Sequence, residues 1–137
     1  MSAAVPPVLT LRDLRLTRGS RAILGGVSFD VAPGEVVALM GASGSGKTTI
    51  LRCVGGLETP DGGTITAARC GLVFQFHCLF EHLTAIDNVT LALVHVHQRP
   101  RAESETTARR LLDRLGVSHR AGALPRELSG GEAQRVA

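Results

Sequence analysis

Residues 41–48 read Gly41-Ala42-Ser43-Gly44-Ser45-Gly46-Lys47-Thr48, directly after the apolar run Val36-Val37-Ala38-Leu39-Met40. This stretch fits every fixed position of G-x-x-x-x-G-K-[ST]. Its setting, an apolar strand before it and an apolar-faced helix after it, is the one such a loop requires. Glycines let the backbone curl so that its N–H groups converge on phosphate oxygens, and the following helix N-terminus adds a favourable partial charge. Lys47 reaches the β and γ phosphates as a point charge, the Thr48 hydroxyl is placed to ligate Mg²⁺, and Thr49 adds a hydrogen bond to phosphate. A plain glycine turn between strand and helix has no use for Lys-Thr at this spacing. Gly41–Thr49 therefore reads as a nucleotide site. Kinases, GTPases and many motors share the loop, so it does not by itself choose among them.

Composition narrows the class. The chain has 137 residues, 44% apolar and 20% charged, enough for one folded domain and unlike a disordered chain. Aromatics make up 3%, with no Trp and no Tyr, too few rings to stack exposed bases, so no nucleic-acid partner is expected. A net charge of +3 suits a phosphate ligand or an anionic membrane nearby. The three cysteines, Cys53, Cys70 and Cys78, are odd in number and form no C-x-x-C pair, which fits a reducing cytosol. Cys78 beside His77 lacks a second ligand pair at zinc spacing, and a small buried thiol is the better reading. Met1–Pro7 has neither the positive start nor the apolar core of a signal peptide. No stretch reaches the roughly 20 apolar residues of a membrane span.

Periodicity lays out the elements. Val8–Leu16 reads as a strand of imperfect alternation, and Val27, Phe29 and Val31 alternate with polar residues as a half-buried strand. Pro33-Gly34 marks a turn. Val36–Met40 reads as a strand buried on both faces, as in a parallel sheet. A helix starts at Lys47 with Ile50, Leu51, Val54 and Leu57 on one face. Pro60–Gly63 is a turn, Thr64–Thr66 a short strand, and Leu72–Phe74 another buried strand ending at Gln75. Thr84–Asp87 is a capping box before a helix that is apolar through Val96. A second helix runs over about 102–115, with Ala108, Leu111, Leu112 and Leu115 inward and Gly116 as its cap. Ser129–Glu132 is a further capping box, opening a helix that reaches Ala137 with no stop signal. That ending predicts a chain cut short. Neither repeats nor low-complexity tracts occur.

The second diagnostic stretch is Leu128-Ser129-Gly130-Gly131-Glu132, continued by Ala133-Gln134-Arg135-Val136-Ala137. Two glycines behind a Ser cap make a second helix N-terminus suited to an anion. With both stretches in one chain, the sequence resembles the ATP-binding subunits of ABC transporters, from about Val8 to Ala137. The resemblance implies an α/β P-loop NTPase fold with a partial central sheet, an antiparallel β N-terminal part and a helical subdomain. Residues 1–75 would form the β part and loop core, and residues 76–137 the helical subdomain. It implies ATP and Mg²⁺ as cofactors, held by Gly41–Thr49. Leu128–Glu132 would be the signature that closes on the γ-phosphate of a second ATP-binding subunit in a homodimer. Gln75, in Val73-Phe74-Gln75, would be the glutamine that senses Mg²⁺ and the attacking water and couples them to the membrane permease. The region around 76–96 would face that permease. Leu79–Thr84 and Asp87-Asn88-Val89 look most like importers of polar amino acids, which work with a solute-binding protein at the cytoplasmic side of the cell membrane.

Three departures from the family pattern, and one folding consequence, set further expectations. No apolar run ending in Asp-Glu occurs, and His119 precedes the signature, so Walker B and the switch histidine are missing. The chain alone is thus expected to bind nucleotide without turning it over. The Lys47–Gln75 connection is short, with part of a hairpin after Gly62-Gly63 lost. Arg18, before Gly19, stands where the family has an aromatic against adenine, and its guanidinium plane is expected to stack on the base instead. Without strands beside it, Val36–Met40 would be an unpaired edge prone to aggregation or partner pairing. A soluble ABC ATPase without transport, or a nucleotide-binding remnant, are the competing readings. The first would bring long insertions or tandem copies, which this chain lacks.

Overall fold

A computed structural model describes residues 5–137; of the signal-peptide reading, residues 1–4 lie outside the described residues. The chain forms two compact units, one ending at Leu72 and one spanning Val73–Ala137.

The first unit contains strands β1 (Leu9–Arg18) and β2 (Arg21–Val31), helix α1 (Lys47–Val54) and strand β3 (Gly62–Ala67). The strands make an antiparallel sheet in the order β2-β1-β3. The imperfect alternation of β1 has a local cause. Leu11 and Leu14 are both fully buried, although three residues apart. The register slips between them, and Asp13 sits at φ 52 with its N–H donating to Ser28 Oγ at 2.8 Å. This bulge returns Leu14 and Leu16 to the core face. Gly63 lies against the bulge at φ 91, where a Cβ would stand 2.5 Å from the carbonyl oxygens of Arg12 and Asp13.

Leu11, Leu14, Leu16 and Leu24 pack with Ile50 and Cys53 of α1 into one core. Burying each leucine contributes about 1.5–3 kcal/mol. The buried face of α1 differs from the expected one. Ile50 and Cys53 point inward, while Leu51 and Leu57 are exposed. The helix ends after two turns in a Schellman motif: Gly56 N–H donates to Cys53 O at 3.1 Å and Leu57 N–H to Arg52 O at 2.9 Å. Leu57 therefore lies past the helix and off its stripe.

Two expected strands are corrected. Val36–Met40 and Leu72–Phe74 adopt no strand, and Val36, Met40 and Val73 are largely exposed. A strand buried on both faces needs ladder partners and covering layers, and the described residues supply neither. Leu39 alone of its run packs against the core.

The second unit contains α2 (Ala85–His95), α3 (Arg101–Arg114), two 3₁₀ turns at Ser118–Arg120 and Pro125–Glu127, and α4 (Gly130–Val136). Half of the Thr84 box forms: Thr84 Oγ1 accepts from Asp87 N–H at 3.3 Å. The Asp87 carboxylate instead accepts from the Thr84 hydroxyl at 2.5 Å and pairs with Arg101 at 2.9 Å, tying α2 to the start of α3. On α3 the buried stripe is Ser104, Ala108 and Leu112, an i, i+4, i+8 row. Leu111 and Leu115, expected inward, are exposed; Leu115 is already the C-cap, past the last residue of α3. Gly116, at φ 69, closes a Schellman motif through Val117 N–H to Leu112 O at 2.9 Å. Leu112 and Val117 then join Ala85, Ala121 and Val136 in the unit's core. Among the described residues no helix is long and apolar enough to cross a membrane.

Candidate functional site

The glycine loop rests on the β hairpin. Gly46 takes φ 93, and a Cβ there would meet Leu24 Cδ2 at 2.8 Å and Ile23 O at 2.9 Å. Only glycine allows the loop to enter α1 this close to β2. Ser45 N–H donates to Ala42 O at 3.2 Å, and Ile50 N–H donates to Gly46 O at 2.9 Å to begin the helix. Lys47 folds back over the curl. Its Nζ donates to Gly41 O at 2.8 Å, Ala42 O at 2.7 Å and Ser45 Oγ at 3.3 Å. The ammonium is thus fixed above the loop, with Thr48 and Thr49 in the first turn of α1 beside it.

These residues border a cavity of about 420 Å³, with Ser43–Thr49 as its floor and Arg18, Arg21 and Ile23 as its wall. The sequence-derived set of Arg18 and the loop residues from Ser43 to Thr49 is therefore brought together. Arg18 is paired with Glu58, whose hydrogen bond, and then whose charge, hold the guanidinium more firmly protonated. Arg18 thus lines the cavity with its guanidinium paired to a carboxylate of this chain. The wall carries no aromatic ring. A cavity lined by the loop, one lysine and two arginines is chemically suited to a polyanion. Among the described residues no group of three His, Cys, Asp or Glu side chains could hold a metal.

Gly41 and Ala42 do not line the cavity but hold Lys47 through their carbonyls; Gln75 and Leu128–Glu132 lie in the second unit. Ser129 caps α4 with a complete capping box. Its Oγ accepts from Glu132 N–H at 3.3 Å, and Glu132 Oε2 accepts from Ser129 N–H at 2.7 Å and from its hydroxyl at 2.8 Å. These two donations, the backbone one first, hold the Glu132 carboxyl below the usual carboxylate range, and Arg120 and His119 add attraction. Gly130 has nothing within 4 Å of an added Cβ beyond its own chain neighbours and helix backbone, so no packing contact among the described residues requires a glycine there. Gln75 sits at an exposed bend.

Sequence reasoning missed several groups. Arg21, Ile23 and Glu58 are legible only once the hairpin register is known. His77 Nδ1 lies 3.1 Å from Gln134 Oε1, linking the segment after Gln75 to the helix that follows Ser129. A second cavity of about 270 Å³ opens beside this link, between Phe76–Leu79 and Ala133. No local pattern marks that pairing.

A G-x-x-x-x-G-K-T loop on a β hairpin in one unit, and a capped Ser-Gly-Gly-Glu turn in the other, define a class. The family described as ABC transporter matches residues 24–137, and the chain belongs to it, in the ATP-binding domain with its α/β P-loop fold. Among relatives, it is 37% identical to the octopine permease ATP-binding protein P of Rhizobium meliloti, over 100% of this chain and 63% of that protein. It is 40% identical to the glutamate/aspartate import ATP-binding protein of Escherichia coli (strain K12), over 95% of this chain and 61% of that protein. It is also 40% identical to a lipoprotein-releasing system ATP-binding protein of Caulobacter vibrioides, over 96% and 67%. The chain thus spans about 63% of the length of the octopine relative. That alignment runs over 164 positions for 137 residues of this chain, so the relative carries residues inside the span that this chain lacks. Among solved structures, a dimeric bacterial ABC transporter cassette matches with a TM-score of 0.84 and 29% identity, over 93% of this chain and 66% of that one. A dimeric post-hydrolysis cassette bound to ADP and Pi matches with a TM-score of 0.83 and 29% identity, over the same shares.

Proposed function

We propose that this chain is the ATP-binding part of a transport-coupled ABC ATPase that serves uptake of small polar solutes, amino acids foremost. The observation that carries the reading is Lys47, held over the Gly41–Ser45 curl beside Thr48 and Thr49 at the head of α1. In this reading the Gly41–Thr49 backbone and Lys47 bind the β and γ phosphates of ATP, and Thr48 supplies the protein oxygen for Mg²⁺. With no carboxylate cluster among the described residues, the ion would take its other ligands from phosphate and water. Bound there, Mg²⁺ neutralises charge on the phosphates.

Ser129, Gly130 and Gly131 would meet the γ-phosphate held by a second copy. The open space at Gly130 supports an approach from outside the chain. Gln75 would sense the nucleotide site and pass its state to a membrane permease, placing the protein at the cytoplasmic face of the membrane with a solute-binding protein as a further partner. Names of two relatives, for octopine and for glutamate/aspartate, support amino acid import. The lipoprotein-releasing relative at 40% identity favours release of a membrane lipoprotein as the second reading.

No apolar run closed by Asp-Glu stands in these 137 residues, so they bind nucleotide without activating water. Calorimetric titration with MgATP and a phosphate-release assay test both parts. Binding that Lys47→Ala weakens at least tenfold, with no release above background, is the expected result. A turnover rate abolished by Lys47→Ala would overturn the non-hydrolysing part, and no binding would overturn the site.

A further inference from the structure

The β1–β2 hairpin turns over two residues, Gly19 and Ser20, with Gly19 at φ 60, the glycine position of a type II′ turn. The ladder sets Arg18 directly opposite Arg21. Cross-strand partners project from the same face, and like charges so placed destabilise the pair. The fold nevertheless puts both guanidinium groups on the wall of the phosphate-loop cavity. Glu58 neutralises Arg18. Arg21 has no ion-pair or side-chain hydrogen-bond partner among the described residues. Its Nη2 lies 4.0 Å from where a Cβ on Gly44 would stand, so it hangs over the turn of the loop. Together with Lys47, three cations serve this cavity against one carboxylate, and Ile23 is the wall's apolar surface.

Resting on the reading of this loop as a triphosphate site, we propose that Arg21 is a phosphate-binding and specificity-determining residue, and that the pocket selects the polyphosphate chain itself, accepting inorganic tripolyphosphate nearly as well as a nucleoside triphosphate. An arginine fork matches phosphate oxygens two at a time. With Arg18 paired to Glu58, Arg21 is the guanidinium of this pair without an ion-pair partner among the described residues, and a polyanion against it would supply one. This wall has no aromatic ring to stack a base on, and its Arg18 guanidinium is already paired with Glu58.

The test is calorimetric titration of the full chain with the Mg²⁺ complexes of tripolyphosphate, ATP and GTP at fixed ionic strength. Tripolyphosphate should bind within about tenfold of ATP, because the nucleoside finds no aromatic platform. Arg21→Ala should weaken all three by roughly tenfold or more, and Arg21→Lys should recover part of the loss, keeping charge without the fork. Arg21 is exposed at a turn, so the thermal midpoint of ligand-free Arg21→Ala should match or exceed that of the original chain. Unchanged affinities in Arg21→Ala, or tripolyphosphate more than a hundredfold weaker than ATP, would overturn the inference. If the original chain binds none of the three, or Lys47→Ala binds them undiminished, the loop reading itself fails. That result is distinct because it does not involve Arg21.

Discussion

Glu132 shows how one carboxylate joins stability to a candidate site. It takes two donations from Ser129 and faces Arg120 and His119, so its folded pKa lies below the ordinary 4.5. A depressed carboxylate stabilises the fold above its unfolded value, and that contribution is lost as pH falls through the folded value. The thermal midpoint should therefore fall more steeply below about pH 4.5 in the original chain than in Glu132→Gln. Parallel slopes would remove Glu132 from the acid lability. Both Glu132 and Lys47 were legible in the sequence for the same reason. Their roles are set by neighbours within a few residues, a Ser three positions back and a glycine loop directly before, and such patterns survive without knowledge of the fold. Arg21 was not legible, because its meaning depends on which residue it faces across a turn.

At the scale of elements, two glycines separate structural from external demands. Gly63 is confined by the Asp13 bulge, at φ 91 and with backbone oxygens 2.5 Å from an added Cβ. Gly63→Ala should cost on the order of 2–3 kcal/mol in urea unfolding, since strain and a backbone clash coincide. Gly130, at the head of α4, meets nothing within 4 Å. Gly130→Ala should be neutral or stabilising by up to about 1 kcal/mol. A large loss of stability in Gly130→Ala would mean that its neighbours within the chain, and not an outside ligand, require the glycine. Element type was legible wherever caps and periodicity agreed, as at Thr84, Ser129 and Gly116. The helix faces were less so. Leu51 and Leu111 are apolar yet exposed, because a short helix buries one narrow row, and the row is chosen by what packs against it.

Across the whole molecule, the reading failed where burial has to come from distant chain. Val36–Met40 has the composition of a strand covered on both faces, but Val36 is 94% and Met40 90% exposed. An exposed apolar segment outside any ladder can pair with another chain, and its lack of Pro and of charge leaves nothing to discourage that pairing. Self-association through this run follows. Light scattering over a concentration series should show mass growing with concentration in the original chain. The double variant Val36→Glu, Met40→Lys should hold a monomer mass over the same range. Because both side chains stand in solvent, the substitutions should change unfolding free energy by no more than about 0.5 kcal/mol, so a lower scattering signal would not be a by-product of altered folding. If the original chain stays monomeric throughout, the run is not a pairing edge. If the double variant associates equally, the surface responsible lies elsewhere, and the exposed Val73, Phe74 and Phe76 of the second unit become the next positions to charge.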